Sequence, residues 1–219
     1  MMPENKFEFI SVKLCLIIVA VFILQALVEV FTGWFVLNAD AWFEPWRFIT
    51  AIFLHGGLGH LVFNMFALFI FGSVLEKVIG GRNFLWVFLV TGILANLFSI
   101  NFYPSSLGAS GAIFGVIGAL VVLRPGMTVW AFSMPMPMIV AGLLWAAGDI
   151  IGAVGFFTGN PLDNTGNLAH LGGMFLGIVY GFWFRTRFGS GKVYVKDNFE
   201  RKVKLDERNM RVWEDYYLR

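Results

Sequence analysis

Four polar residues stand near the ends of long apolar runs: Ser110, His170, His60 and, one turn after His60, Asn64. Polar and ionisable side chains are costly in a bilayer and mark function there by default. A serine with a histidine suggests a nucleophile and its general base. Ser110 sits in Gly108-Ala109-Ser110-Gly111, directly after the loop-like Pro104-Ser105-Ser106-Leu107, so it lies at a loop-to-helix junction. The first N–H groups of a helix lack intrahelical partners, and such a donor can stabilise a developing oxyanion. Gly108 and Gly111 allow tight turning and close backbone approach. His60 and Asn64 share one helix face. Both can donate hydrogen bonds, so facing Ser110 they would complete an oxyanion hole. Phe114, one turn below Ser110, could stack on the imidazole of His170. No carboxylate stands near His170 in the sequence, so the expectation is a dyad and not a triad. The plainer alternatives are a serine bonded back to its own helix and a polar seam joining span 2 to its neighbours.

These residues need elements to hold them. The chain is 58% hydrophobic and 14% charged, against about 25% charged in a soluble domain. The apolar residues fall in runs of membrane-spanning length, at about 14–36, 59–79, 84–102, 110–123, 137–157 and 168–184. The expected fold is therefore an all-α membrane protein, a bundle of six transmembrane helices whose fourth is short. Every lysine and arginine except Arg47 falls on one side of this serpentine. By the positive-inside rule both termini are cytoplasmic. His60, Ser110 and His170 then open spans 2, 4 and 6 from the outer side, at similar depth. Gly111, Gly115 and Gly118 in span 4 and Gly173 and Gly177 in span 6 could let those two helices touch. The predicted organisation is a cytoplasmic segment 1–13, a membrane domain 14–187 and a charged cytoplasmic tail 188–219.

Other features carry weaker expectations. The connection 37–58 holds Trp42, Phe43, Trp46 and Phe53, aromatics suited to the membrane interface. His55 in it reads as solvated or structural. Glu29 in span 1, Asp149 in span 5 and Glu76 read as hydrogen-bonded or neutral structural acids, with a proton relay as the alternative; Glu76 could bond to loop backbone. The prolines of Met134-Pro135-Met136-Pro137-Met138 predict a kink at the start of span 5. The loop 158–166 has the composition of a lid. Cys15 is the only cysteine, so no disulfide or cysteine metal framework forms within one chain. The first apolar run is too long for the core of a cleaved signal. The small net charge of +2 argues against a nucleic-acid partner, and the tail could instead lie on anionic lipid.

Taken in order, Trp46-Arg47, His60-x-x-x-Asn64, Gly72-x-x-x-Glu76-x-x-x-Gly80, Gly108-Ala109-Ser110-Gly111 and Ala169-His170-x-x-Gly173-x-x-x-Gly177 resemble the rhomboid intramembrane serine proteases. The resemblance covers about 40–187 and looks like the minimal prokaryotic form. It implies a serine endopeptidase cleaving transmembrane substrates near the outer membrane surface, without cofactor or metal. It assigns the nucleophile to Ser110, the base to His170, and oxyanion stabilisation to His60, Asn64 and the Ser110 N–H. Trp46, Arg47 and Glu76 match structural positions. Some rhomboids carry tyrosine where Phe114 stands, so a hydroxyl contact is absent here. The rival readings are a catalytically silent rhomboid-like protein that binds transmembrane helices, a small transporter or channel, and a haem protein ligated by His60 and His170. Transporters favour internal repeats and midplane ionisable groups; the sequence shows no repeat, and its key polar groups sit near one surface.

Overall fold

The computed structural model describes residues 8–160 and 166–188. Helix α1 (Ile10–Leu27) is followed by a short helix α2 (Phe31–Phe35), a two-residue strand β1 (Leu37–Asn38) and a short helix α3 (Arg47–Thr50). Helices α4 (Leu58–Ala67) and α5 (Ser73–Ile79) are joined by a wide π-type turn at Leu68–Gly72 and run as one rod. Then come α6 (Gly81–Ser99), β2 (Ser105–Ser106), α7 (Ser110–Leu123), the hairpin β3 (Thr128–Ala131) and β4 (Met134–Pro137), α8 (Met138–Phe157) and α9 (Asn167–Phe188).

Five stretches are long and apolar enough to cross a membrane: Ile10–Leu27, Leu58–Ile79, Gly81–Ser99, Met138–Phe157 and Asn167–Arg187. The burial pattern agrees. Leu16, Ile17 and Leu27 on α1, Phe63 and Phe66 on α4, and Ile150, Ile151 and Val154 on α8 face outward. Asn64, Thr91, Asn96, Asp149 and His170 face inward. Large apolar side chains outside and polar ones inside suit a lipid solvent; this is an integral membrane protein. Helix α7 has 14 residues, about 21 Å at 1.5 Å per residue, short of a roughly 30 Å hydrocarbon core. It is buried on nearly every side, from Gly111 through Leu120 with only Phe114 partly open. Protein packed around it supplies what its length does not.

Span 1 stops earlier than expected. Val28 is already extended, and the chain turns back so that the Arg47 guanidinium donates to the carbonyls of Gly33 and Val36 at 2.8 and 2.9 Å and pairs with Glu44. Glu29 consequently lies beyond the helix and is exposed, not inside a span. The Met-Pro-Met-Pro run forms no helical kink. It is strand β4, paired with β3 through Thr128↔Pro137 and Trp130↔Pro135. Proline lacks the N–H that a ladder interior needs but is tolerated on an edge strand. The turn between the strands puts Phe132 and Ser133 at φ 51° and 63°. This hairpin and the pair Leu37↔Ser106, Asn38↔Ser105 are the β elements among the described residues of a chain expected to be all-α.

Glu76 performs a capping task. Helix α1 has no capping side chain of its own. The fully buried Glu76 carboxylate instead accepts the N–H groups of Glu8, Ile10 and Ser11 and the Ser11 hydroxyl at 2.9–3.0 Å. A carboxylate is well suited to the unpaired donors at a helix start. Of the aromatics in the connection 37–58, Trp42, Phe43 and Trp46 are exposed, while Phe53 packs against the core. The tail 189–219, residues 1–7 and loop residues 161–165, which carry most of the expected lid, lie outside the described residues.

Candidate active site

The register between α7 and α9 decides what meets at their N-terminal ends. A β-carbon on Gly173 would run into the carbonyl oxygen of Gly111, and one on Gly177 into that of Gly115. Backbone cannot yield as a side chain can, so the two helices touch main chain to main chain. The expected contact between spans 4 and 6 is present. Gly111 directly follows Ser110 and Gly173 lies one turn after His170, so this seam carries the hydroxyl and the imidazole to the same level.

Ser110 is the first residue of α7, following a turn in which Gly108 has φ +123°. Its Oγ lies 2.8 Å from His170 Nε2. The His170 ring stacks on Phe114, with centroids 4.4 Å apart and planes 8° from parallel, as the sequence suggested. The pair is partly buried, and Ser110 lines a cavity of about 980 Å³ together with His60, Asn64, Gly108, Phe114 and His170. One cavity thus gathers all six candidate residues.

His60 is held from two sides. The Gly56 N–H donates to His60 Nδ1 across a long 3.5 Å, which assigns the ring proton to Nε2. That Nε2 lies where a β-carbon on Gly108 would come within 2.8 Å. Gly108 is therefore required twice, for its left-handed φ and for the close approach of the ring. The Asn64 amide donates to the carbonyl of His60 at 2.8 Å, leaving a second N–H on the same nitrogen for the cavity.

The residue missed in the reading of the sequence is Asp149. Its Oδ1 lies 3.0 Å from His170 Nδ1. The expected pair of side chains is in fact a row of three, because α8 packs on α9 and brings in a carboxylate 21 residues away in the chain. An acid in an apolar span was the available signal; its partner was not legible. Both ring nitrogens of His170 are engaged by protein side chains, which speaks against an axial-ligand role toward haem.

His55 is not solvated. It is 2% exposed, and neither ring nitrogen has a hydrogen-bond partner among the described residues. Its main chain is tied to the Gln25 amide through bonds of 2.9 and 3.3 Å, and its ring lies 4.9 Å from that of His60. Burial, with the His60 imidazole beside it, pushes the His55 pKa down from 6.5 to about 4; a weaker pull from the Phe53 backbone opposes this. Between these values the unfolded chain binds a proton and the folded chain does not, so stability is full above about 6.5 and falls as pH drops toward 4. Thermal unfolding in detergent should show that loss in the wild type. In His55→Leu the loss between pH 6.5 and 4 should be smaller.

Residues 43–187 match the Rhomboid domain family. The chain is 37% identical over 151 residues to "Rhomboid protease GluP" of Bacillus subtilis, covering 67% of this chain and 28% of that protein. It is 33% identical over 166 residues to "Rhomboid-like protein 11, chloroplastic" of Arabidopsis thaliana, covering 71% and 57%. It is 30% identical over 148 residues to "Rhomboid protease GlpG" of Haemophilus influenzae, covering 64% and 69%. The chain thus spans about a quarter of the first relative and just over half of the second. With the match running from the segment before α3 through α9, and the Ser110, His170, His60 and Asn64 positions all inside it, the chain belongs to the rhomboid family.

Proposed function

We propose that the protein is an intramembrane serine endopeptidase that cleaves transmembrane segments. The observation that carries this reading is the 2.8 Å contact between Ser110 Oγ and His170 Nε2 at the head of α7, inside a cavity bordered by outward-facing apolar helices. Ser110 Oγ attacks the scissile carbonyl carbon while its proton passes to His170 Nε2. The carbonyl oxygen becomes an oxyanion facing the Ser110 N–H at the start of α7 and the donors of His60 and Asn64. As the C–N bond breaks, the proton on Nε2 goes to the leaving amine and an acyl-enzyme remains on Ser110. A water then repeats the sequence, His170 taking its proton and returning one to Ser110.

The same reading supplies the finer topology. Six crossings, α7 being the short one, place residues 14–187 in the bilayer, with both termini and the tail 188–219 in the cytoplasm of a prokaryotic cell. The cavity then opens toward the outer side, where water for deacylation is available.

The decisive test is labelling by a fluorophosphonate in detergent or proteoliposomes. The wild type should label at one site and Ser110→Ala should not. A wild type left unlabelled would instead favour the silent transmembrane-helix binder. His60→Ala and Asn64→Ala should each lower kcat on a single-span substrate by on the order of 10²–10³-fold, the usual cost of one oxyanion donor. Initial rates at saturating substrate check this.

A further inference from the structure

Histidine works as a base only in the right tautomer. In neutral imidazole one nitrogen carries the proton and the other a lone pair. Here Nε2 faces the Ser110 hydroxyl at 2.8 Å and Nδ1 faces Asp149 Oδ1 at 3.0 Å. A carboxylate can only accept, so the contact sets the ring proton on Nδ1 and leaves the lone pair of Nε2 aimed at Ser110.

We propose that Asp149 is a positioning residue of this site, which holds His170 in the Nδ1–H tautomer and stabilises the imidazolium formed when Nε2 takes the Ser110 proton. The inference rests on the proposed proteolytic function and deepens it from a dyad to a triad. No proton moves to the carboxylate. As the Ser110 O–H bond breaks and the bond from Oγ to carbon forms, the positive charge on the ring is matched by the charge already present on Asp149.

Three further observations carry it. Asp149 and His170 are 7% and 8% exposed, so their mutual field is poorly screened. Asp149 Oδ2 has no hydrogen-bond partner among the described residues. A buried carboxylate with one oxygen unbonded is an expensive way to tie two helices together, and an apolar contact would serve packing better. The carboxylate is also held in place. One turn along α8, Gly152 receives the Asn167 side chain so closely that a β-carbon there would overlap its amide. This contact sets α8 against the start of α9 directly beside the Asp149 to His170 bond.

The test uses the full-length chain in proteoliposomes. Asp149→Asn keeps the shape but offers an amide N–H that favours the wrong tautomer. In a soluble Ser-His-Asp hydrolase that change lowers kcat about 10⁴-fold. Here a loss of about 10²-fold or more in kcat and in the fluorophosphonate labelling rate is expected, with KM and the thermal midpoint unchanged. A merely structural acid would move the midpoint or KM instead. The ¹⁵N spectrum of histidine-labelled wild type, with His170 assigned by its loss in His170→Ala, needs no folded Asp149 variant. It should show a protonated Nδ1 and an unprotonated Nε2. Wild type that labels while Asp149→Asn labels equally fast, or a His170 protonated on Nε2, overturns the role of Asp149 alone. Wild type that does not label removes the function beneath it.

Discussion

Ser110→Ala and His170→Ala are each expected to abolish cleavage of a single-span substrate, with kcat falling by up to roughly 10⁶-fold, as loss of nucleophile or base does in a serine hydrolase. The reason lies in the pairing. Ser110 Oγ has one ring nitrogen within reach at 2.8 Å, and among the described residues no other hydrogen bond to that hydroxyl is seen. Without the imidazole, the hydroxyl has no base to take its proton as it attacks. Without the hydroxyl, the imidazole has nothing to activate except water. The two losses should not add, because the residues act as one unit. The double variant should therefore be no slower than either single one. The measurement is turnover of a model transmembrane substrate in proteoliposomes, with thermal midpoints recorded to show that each variant is folded. Wild-type turnover by either variant would end the catalytic assignment.

Gly177→Val should be the most damaging change in the membrane core. Any β-carbon at that position meets the carbonyl oxygen of Gly115, a main-chain atom inside a helix buried on nearly every side. Forcing the helices apart would open the seam over its whole length and separate Ser110 from His170. Overpacking a well-filled core typically costs about 1–3 kcal/mol when side chains can adjust, and here backbone must move. The expected result is a loss above about 3 kcal/mol or failure to fold, read by unfolding in detergent. Gly148→Ala is the internal control. Its β-carbon would meet nothing within 4 Å, and alanine is the better helix former. That variant should keep the wild-type midpoint and turnover. Equal tolerance at both positions would show that the seam is not a main-chain contact.

Much of this protein is legible in its sequence because a bilayer imposes simple rules. Apolar length locates helices α4 to α9 within a few residues. The shortness of α7 and the glycine spacings on α7 and α9 survive in the structure, since only small residues permit such an approach. Ser110, His170, His60, Asn64, Gly108 and Phe114 line one cavity, as their shared placement near helix ends suggested. Hydropathy reads less well where the chain leaves the helices. Val28 to Val36 are as apolar as a span, yet there the chain turns because Arg47 collects two of its carbonyls. The prolines near α8 look like a helix defect but edge a hairpin, because the strand partner lies across a turn at Phe132 and Ser133. For His55, which reads as either solvated or structural, the structural alternative holds, since it is buried beside Gln25 and His60.

The chain's own pattern of apolar runs, glycines and stranded polar groups determined that this is a rhomboid-family membrane protein, and which residues line its cavity. Those features act locally, through the cost of exposing a polar group to lipid and the room a hydrogen atom leaves between two helices. Only the tertiary structure decided that Asp149 reaches His170 and that Glu76 caps α1. Each of those contacts joins residues with no periodicity in common, and packing of whole helices sets the distance between them.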